Sequence, residues 1–202
     1  MDIHGILKRL ADKRPIYHNE ADFQHSLAWE LHLEYPDSKL RLEYPVGEPR
    51  KYIDIYLVEQ GVRYFLELKY KTRRFNLTWN DEQYLLKNQG AQDLGRYDFI
   101  KDVVRLEGLK DSRSKGYAIF LTNDSSYYGQ PQRNNTAYHE FRLTDRRRLN
   151  GILGWGPTAT SGTTKGRKEP LEVEGIYSLN WRNFSHIGSG SNAKFDYLAL
   201  AI

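Results

Sequence analysis

The chain of 202 residues has no cysteine and a single methionine. Without cysteine there can be no disulfide, no zinc ribbon and no thiol nucleophile, and the composition fits a reducing compartment. Long hydrophobic runs are missing too. No stretch approaches the roughly 18 apolar residues of a membrane-crossing helix, and no apolar run of about 7 to 15 residues follows a basic start. Neither export nor membrane insertion is expected, and the chain reads as soluble and cytoplasmic. Linker-like segments and internal repeats are also absent, so residues 1–202 read as one domain with one core. A phosphate-binding P-loop is excluded because Gly162-Thr-Thr-Lys165-Gly lacks the Gly-Lys-Ser/Thr order.

What is abundant is aromatic: 15 Tyr and 4 Trp suit a mixed sheet packed by helices. Net charge is only +4, from 30 basic and 26 acidic residues, but the cations are unevenly spread. Arg142, Arg146, Arg147, Arg148, Lys165, Arg167 and Lys168 face Asp145 alone between positions 142 and 168. Lys69, Lys71, Arg73 and Arg74 form a second cluster. Such runs are usually solvated faces, but beside a phosphodiester site they become phosphate contacts.

The stretch Tyr52 to Lys71 organises the chain. β-Branched and aromatic residues fill two arms around Gln60-Gly61, which predicts a hairpin with a two-residue turn. Glu59 then pairs with Val62, Asp54 falls opposite Glu67, and Lys69 shares the Glu67 face because side chains alternate along a strand. Charged groups between strands this apolar need partners or a metal. A divalent cation held by Asp54, Glu67 and the backbone carbonyl of Leu68, with Lys69 beside it, satisfies them, since oxygen-only ligation suits Mg²⁺.

Upstream, Ile3, Ile6, Leu7 and Leu10 space a helix over residues 3–13 that Arg14-Pro15 ends. Asn19 is placed to cap a second helix running to about Leu33, with Phe23, Leu27, Ala28 and Leu31 as its apolar stripe. Glu20 points within about 20° of Leu27 and Leu31, so its carboxylate is aimed at the core, whereas Glu30 lies about 80° away and Glu34 falls at the frayed end. His25 and His32 lack a metal-site context. Leu40 to Val46 alternates as a strand before the Gly47-Glu48-Pro49 break. Trp79 to Leu94 reads as a helix, Phe99 to Leu109 as a further one, and Gly116 to Thr122 as a buried parallel strand. Beyond Tyr127, segments 137–143, 171–181 and 195–202 read as strands, and Gly154 to Gly166 as a loop. Trp181 reads as core, while Tyr127, Tyr128 and Trp155 suit either core or base stacking.

Asp54, a turn, and then Glu67-Leu68-Lys69 resemble the signature of the PD-(D/E)xK nuclease superfamily, although Ile53 stands where a proline often precedes the Asp. The order helix, three strands, helical crossover, strand over residues 19–122 is similar to that family's α-β-β-β-α-β core. The resemblance implies an α/β, restriction-endonuclease-like fold: a mixed central sheet flanked by helices, with a C-terminal β-rich extension over about 127–202. It implies hydrolysis of nucleic acid, DNA favoured, with Mg²⁺ or Mn²⁺ on Glu20, Asp54, Glu67 and the Leu68 carbonyl. Glu20 corresponds to the helix glutamate of the resolvase-like branch. Lys69 would orient the attacking water, and either Gln89 or Gln92 would assist from the following helix. Lys71, Arg73, Arg74, Arg146, Arg147 and Arg148 would contact phosphates. Two rivals are a nuclease fold that binds without cutting, and a structural protein whose hairpin carries an incidental salt bridge.

Overall fold

The computed structural model describes residues 1–47 and 51–202, so part of the Gly47-Glu48-Pro49 break lies outside the described residues. Helix α1 (Ile3–Lys13) buries Ile3, Ile6, Leu7 and Leu10 and stops where Arg14 turns extended ahead of Pro15. In α2 (Glu20–Glu34) the Asn19 side chain accepts a hydrogen bond from the Asp22 N–H at 2.9 Å, and Phe23, Leu27, Ala28 and Leu31 are buried as their spacing predicts. Strands β1 (Lys39–Pro45), β2 (Tyr52–Glu59) and β3 (Val62–Lys71) follow as an antiparallel meander.

The next segment corrects the predicted Trp79 to Leu94 helix. It is a hairpin of β4 (Phe75–Trp79) and β5 (Glu82–Leu86), and helix α3 (Gln92–Gly108) begins only afterwards. Asn80 and Asp81 have φ of 48° and 64°, so they form a tight two-residue turn whose twist suits a hairpin, and Tyr84 and Leu86 alternate inward. Helix α3 then crosses back to β6 (Ser114–Thr122), which pairs in parallel with β3 as a buried strand after a helical crossover should.

The C-terminal third is not an appendage. Strand β7 (Arg148–Leu153), the short helix α4 (Ser161–Thr164) and β8 (Leu171–Ser178) give a two-stranded ribbon against α3, but β9 (Arg182–His186) and β10 (Lys194–Ala201) join the main sheet. Its order is β1-β2-β3-β6-β10-β9, mixed because only the β3–β6 pair is parallel. Pairing β10 to β6 covers an edge that both faces make apolar. The expected strand at 137–143 is instead irregular, with a short 3₁₀ turn at His139–Phe141.

Period-two alternation divides the core into two layers. Leu66, Leu68, Tyr70, Ile119 and Leu121 face α1 and α2, while Phe65, Ala118, Phe120 and Leu198 face α3 and the β7–β8 ribbon. Among the described residues, no helix is long and apolar enough to cross a membrane.

Candidate functional site

The β2–β3 register is the one the turn predicts. Gln60 and Gly61 take φ of 48° and 78°, Glu59 pairs with Val62, and the ladder runs to Ile55 opposite Leu66. There the backbone pairing ends, and two carboxylates take over the edge of β3. The Leu68 N–H donates to Asp54 Oδ2 at 2.6 Å, and the Tyr70 N–H donates to Glu20 Oε2 at 2.8 Å. Donors two residues apart on one strand edge are separated by about 6.6 Å, so Asp54 and Glu20 stand side by side. Glu20 comes from the first turn of α2, where helix phase placed it.

These two carboxylates open onto a cavity of about 450 Å³, together with Gln24, Glu43, Lys71 and Gln89. The buried Gln24 amide donates to Glu43 Oε1 at 2.8 Å and to the Asp54 carbonyl at 2.7 Å, fixing both residues; sequence reasoning passed it over as one more position on α2. Gln89 sits between β5 and α3 rather than on a helix. Its N–H donates to the Thr72 carbonyl at 2.8 Å, and its Oε1 accepts from the Thr72 N–H at 3.0 Å. Gln92, the first residue of α3, donates instead to Asp124 Oδ2 at 3.1 Å and lines a different cavity. Burial pushes the Asp54 carboxyl up to about 6; the Leu68 N–H and Lys69 oppose this, while Asp102 and Glu20 add to it. Among the described residues, no three acidic or histidine side chains stand close enough to make a ready-formed metal cage.

Glu67 and Lys69 lie behind this cavity and not on it. Glu67 is 2 % exposed and pairs with Arg105, Lys69 Nζ lies 2.6 Å from Asp102 Oδ2, and Arg105 Nη2 lies 3.0 Å from Asp102 Oδ1. The four side chains form one network between β3 and α3, with Glu67 and Asp102 buried and Lys69 and Arg105 half-buried. Although Glu67 Oε1 and Arg105 are in contact, they are not aligned as a hydrogen bond, so the attraction is one of charge alone. Burial raises the Glu67 carboxyl far above the usual range, with Asp102 and Asp54 adding to the effect and Arg105 and Lys69 opposing it. Burial also works against the Lys69 charge, but Asp102 outweighs it and keeps the ammonium protonated. Lys69 Nζ also donates to the Leu68 carbonyl at 3.3 Å. Asp102 and Arg105 went unnoticed in the sequence, yet Phe99, Asp102, Val103 and Leu106 follow the spacing of a buried helix face.

The alternatives on α2 are spoken for: buried Glu30 pairs with Lys13, and Glu34 pairs with Arg9 at 2.6 Å. Of the basic residues, Lys71 is at the cavity, Arg74, Arg146 and Arg148 are exposed, and Arg73 lies 3.0 Å from Asp124. Arg147 corrects the expected phosphate contact. Its guanidinium donates to the carbonyls of Glu140, at 2.7 Å, and Arg142, where it holds the loop before β7. Trp155 and Trp181 donate their indole N–H to the Arg167 and Leu143 carbonyls at 2.6 and 2.7 Å and pack in the aromatic core, as buried Tyr127 does.

No family model, no curated protein and no solved structure matches this chain.

Proposed function

We propose that the chain is a metal-dependent nuclease of restriction-endonuclease-like fold that hydrolyses phosphodiester bonds of nucleic acid, with DNA the favoured substrate. The observation that carries this reading is the seating of Asp54 and Glu20 on successive N–H groups of β3 where β2 leaves the ladder. One oxygen of each carboxylate is anchored, and among the described residues no donor reaches the other, so the pair is oriented with unmet negative charge. Burial raises the Asp54 carboxyl, and the charges of Asp102 and Glu20 add to the rise. Oxygen donors of this kind fit Mg²⁺ or Mn²⁺, which Asp54, Glu20 and the Leu68 carbonyl would hold; Glu67 would have to give up Arg105 to join them. When bound, such an ion polarises a phosphodiester and acidifies its water.

The chain's own groups supply the rest. Lys69, kept charged by Asp102 behind the Leu68 carbonyl, acts on the site through its field, which favours the ionised form of Asp54. Gln89, its carbonyl oxygen held by Thr72, presents its amide to the cavity as a donor. Lys71 at the cavity and exposed Arg74 hold neighbouring phosphates. The parallel β3–β6 pair, reached through α3, agrees with the α-β-β-β-α-β order on which the resemblance rests. The Glu67–Arg105 pairing favours one alternative, a nuclease fold that binds nucleic acid without cutting it.

Metal binding should depend on pH with a definite sign. Because a ligand carboxylate has to be deprotonated, Mn²⁺ affinity should be level above pH about 6 and fall by up to ~10-fold per unit below it, as protons compete for Asp54. Calorimetric titrations across that range check this; equal affinity at mildly acidic and neutral pH would remove Asp54 from the ligand set.

A further inference from the structure

A second and larger cavity, about 1110 Å³, opens at the carboxyl ends of β3 and β6. Arg96 is its buried cation. It is 5 % exposed, and it donates to the Ser126 carbonyl. Its guanidinium lies 5.0 and 4.8 Å from the ring centres of Tyr127 and Tyr138. Among the described residues no carboxylate pairs with it, and its Nε has no hydrogen-bond partner. Nine buried side-chain polar atoms lack a partner among the described residues, and three of them, Arg96 Nε, Arg142 Nε and Tyr127 Oη, belong to residues that line this cavity. The two guanidinium groups can only donate, so the group that suits the cavity is an acceptor. A buried guanidinium without a counter-charge makes that acceptor an anion.

The backbone agrees. Ala91, Gln92 and Asp93, the first residues of α3 and its cap, line the cavity, and the cap residue Ala91 has no polar side chain to take up the first N–H groups of that helix end. Its unpaired N–H groups and positive dipole end favour negative charge. The two carboxylates nearby, Asp124 and Asp93, act on Arg96 through space and form no ion pair with it. Asp124 is taken up by Arg73, Gln92 and the Ser126 N–H, and Asp93 accepts from the Leu94 N–H at 2.9 Å. Four guanidinium groups, from Arg73, Arg96, Arg133 and Arg142, line the same space.

This cavity and the Asp54–Glu20 cavity draw on the same two stretches of chain. Lys71 and Gln89 line the first, and Arg73 and Ala91, each two residues further along the chain, line the second. Two residues of extended chain span about 6.6 Å, and a nucleic-acid strand carries one phosphate per roughly 3.4 Å of axis. We propose that the second cavity is a subsite for a phosphate group of the nucleic-acid strand whose neighbouring phosphodiester lies over Asp54 and Glu20, with Arg96 as its central cation. The proposal rests on the nuclease reading for the identity of the strand, and on Arg96 and its neighbours for the anion.

The test uses binding without cleavage. In EDTA, inorganic phosphate is titrated by calorimetry and a short labelled single-stranded oligodeoxynucleotide by fluorescence anisotropy, against wild type, Arg96→Gln, Tyr127→Phe and Lys8→Gln. Circular dichroism confirms folding. Phosphate should bind and compete with the oligonucleotide. Arg96→Gln should weaken both by ~10-fold or more, and Tyr127→Phe, which removes one hydroxyl, by about two- to tenfold. Lys8→Gln, an exposed cation on α1 remote from both cavities, should not weaken either. Affinities indifferent to Arg96 and Tyr127 would overturn the subsite even if wild type cleaves with Mg²⁺. Phosphate binding without oligonucleotide binding would overturn the strand assignment. Arg96-dependent binding of both probes by a protein that cleaves nothing would support the subsite and remove the nuclease reading.

Discussion

Replacing Asp54 with asparagine should lower cleavage by ~10²- to 10³-fold and, in the metal-free protein, raise the melting temperature. The two effects share one cause. An asparagine oxygen can still accept from the Leu68 N–H, so the strand edge keeps its bond, but the charge that holds a cation is gone. The Asp54 carboxyl moves from 3.8 to about 6 on folding, so between those values the native state binds the extra proton. Stability therefore falls as pH rises through that window, and at neutral pH the ionised group opposes folding by up to about 3 kcal/mol. For a chain of this size each kcal/mol shifts the melting temperature by about 2–4 °C. Calorimetric melts of both proteins in EDTA at neutral pH, beside cleavage rates at saturating Mg²⁺, check the pair. A lower melting temperature for Asp54→Asn would mean that the carboxylate stabilises the empty site, contrary to this account.

The largest loss of stability should come from Arg105→Ala. Truncation leaves Glu67 buried with Lys69 as its nearest cation, and Lys69 is committed to Asp102. Breaking a buried pair from one side costs about 3–5 kcal/mol. Here the cost should shrink as pH is lowered. Glu67 already has a raised folded pKa and can take up a proton, so stability should fall with rising pH and fall more steeply without Arg105. Adding Glu67→Gln to Arg105→Ala should recover a large part of the loss, and a double-mutant cycle measured by urea unfolding isolates the coupling. Additive effects of the two substitutions would show that no coupled network exists.

The sequence was most legible where geometry leaves few choices. A two-residue turn and strict alternation determine the β2–β3 register from Glu59 opposite Val62 to Ile55 opposite Leu66, but the expected Asp54–Glu67 pair falls beyond the end of that ladder, where Asp54 turns to the Leu68 N–H instead. Helix phase put Glu20 under the same edge, and a continuous apolar run identified β6 as a buried strand. Short apolar windows were ambiguous. Tyr84 and Leu85 suit either period, and the decisive signal for the β4–β5 hairpin was the Asn80-Asp81 turn. Strand β9, Arg182 to His186, is an edge strand with little apolar pattern, so nothing local betrayed it. The partners of Glu67 and Lys69 lie on α3, more than thirty residues away. No pattern within the hairpin could show that Arg105 and Asp102 draw those two side chains away from the cavity. Arg147 stood in a basic run, and only the loop before β7 reveals that its guanidinium is spent on two carbonyls.

The central claim is that the Asp54–Glu20 edge of β3 cuts nucleic acid with a divalent cation. The most direct measurement incubates the protein with supercoiled plasmid, single-stranded DNA and RNA, in Mg²⁺, in Mn²⁺ and in EDTA, beside Asp54→Asn. Wild type should yield cleaved DNA with either metal, and neither the EDTA control nor the variant should do so. Intact substrates under every metal condition, or cleavage that persists equally in EDTA and in Asp54→Asn, would contradict it.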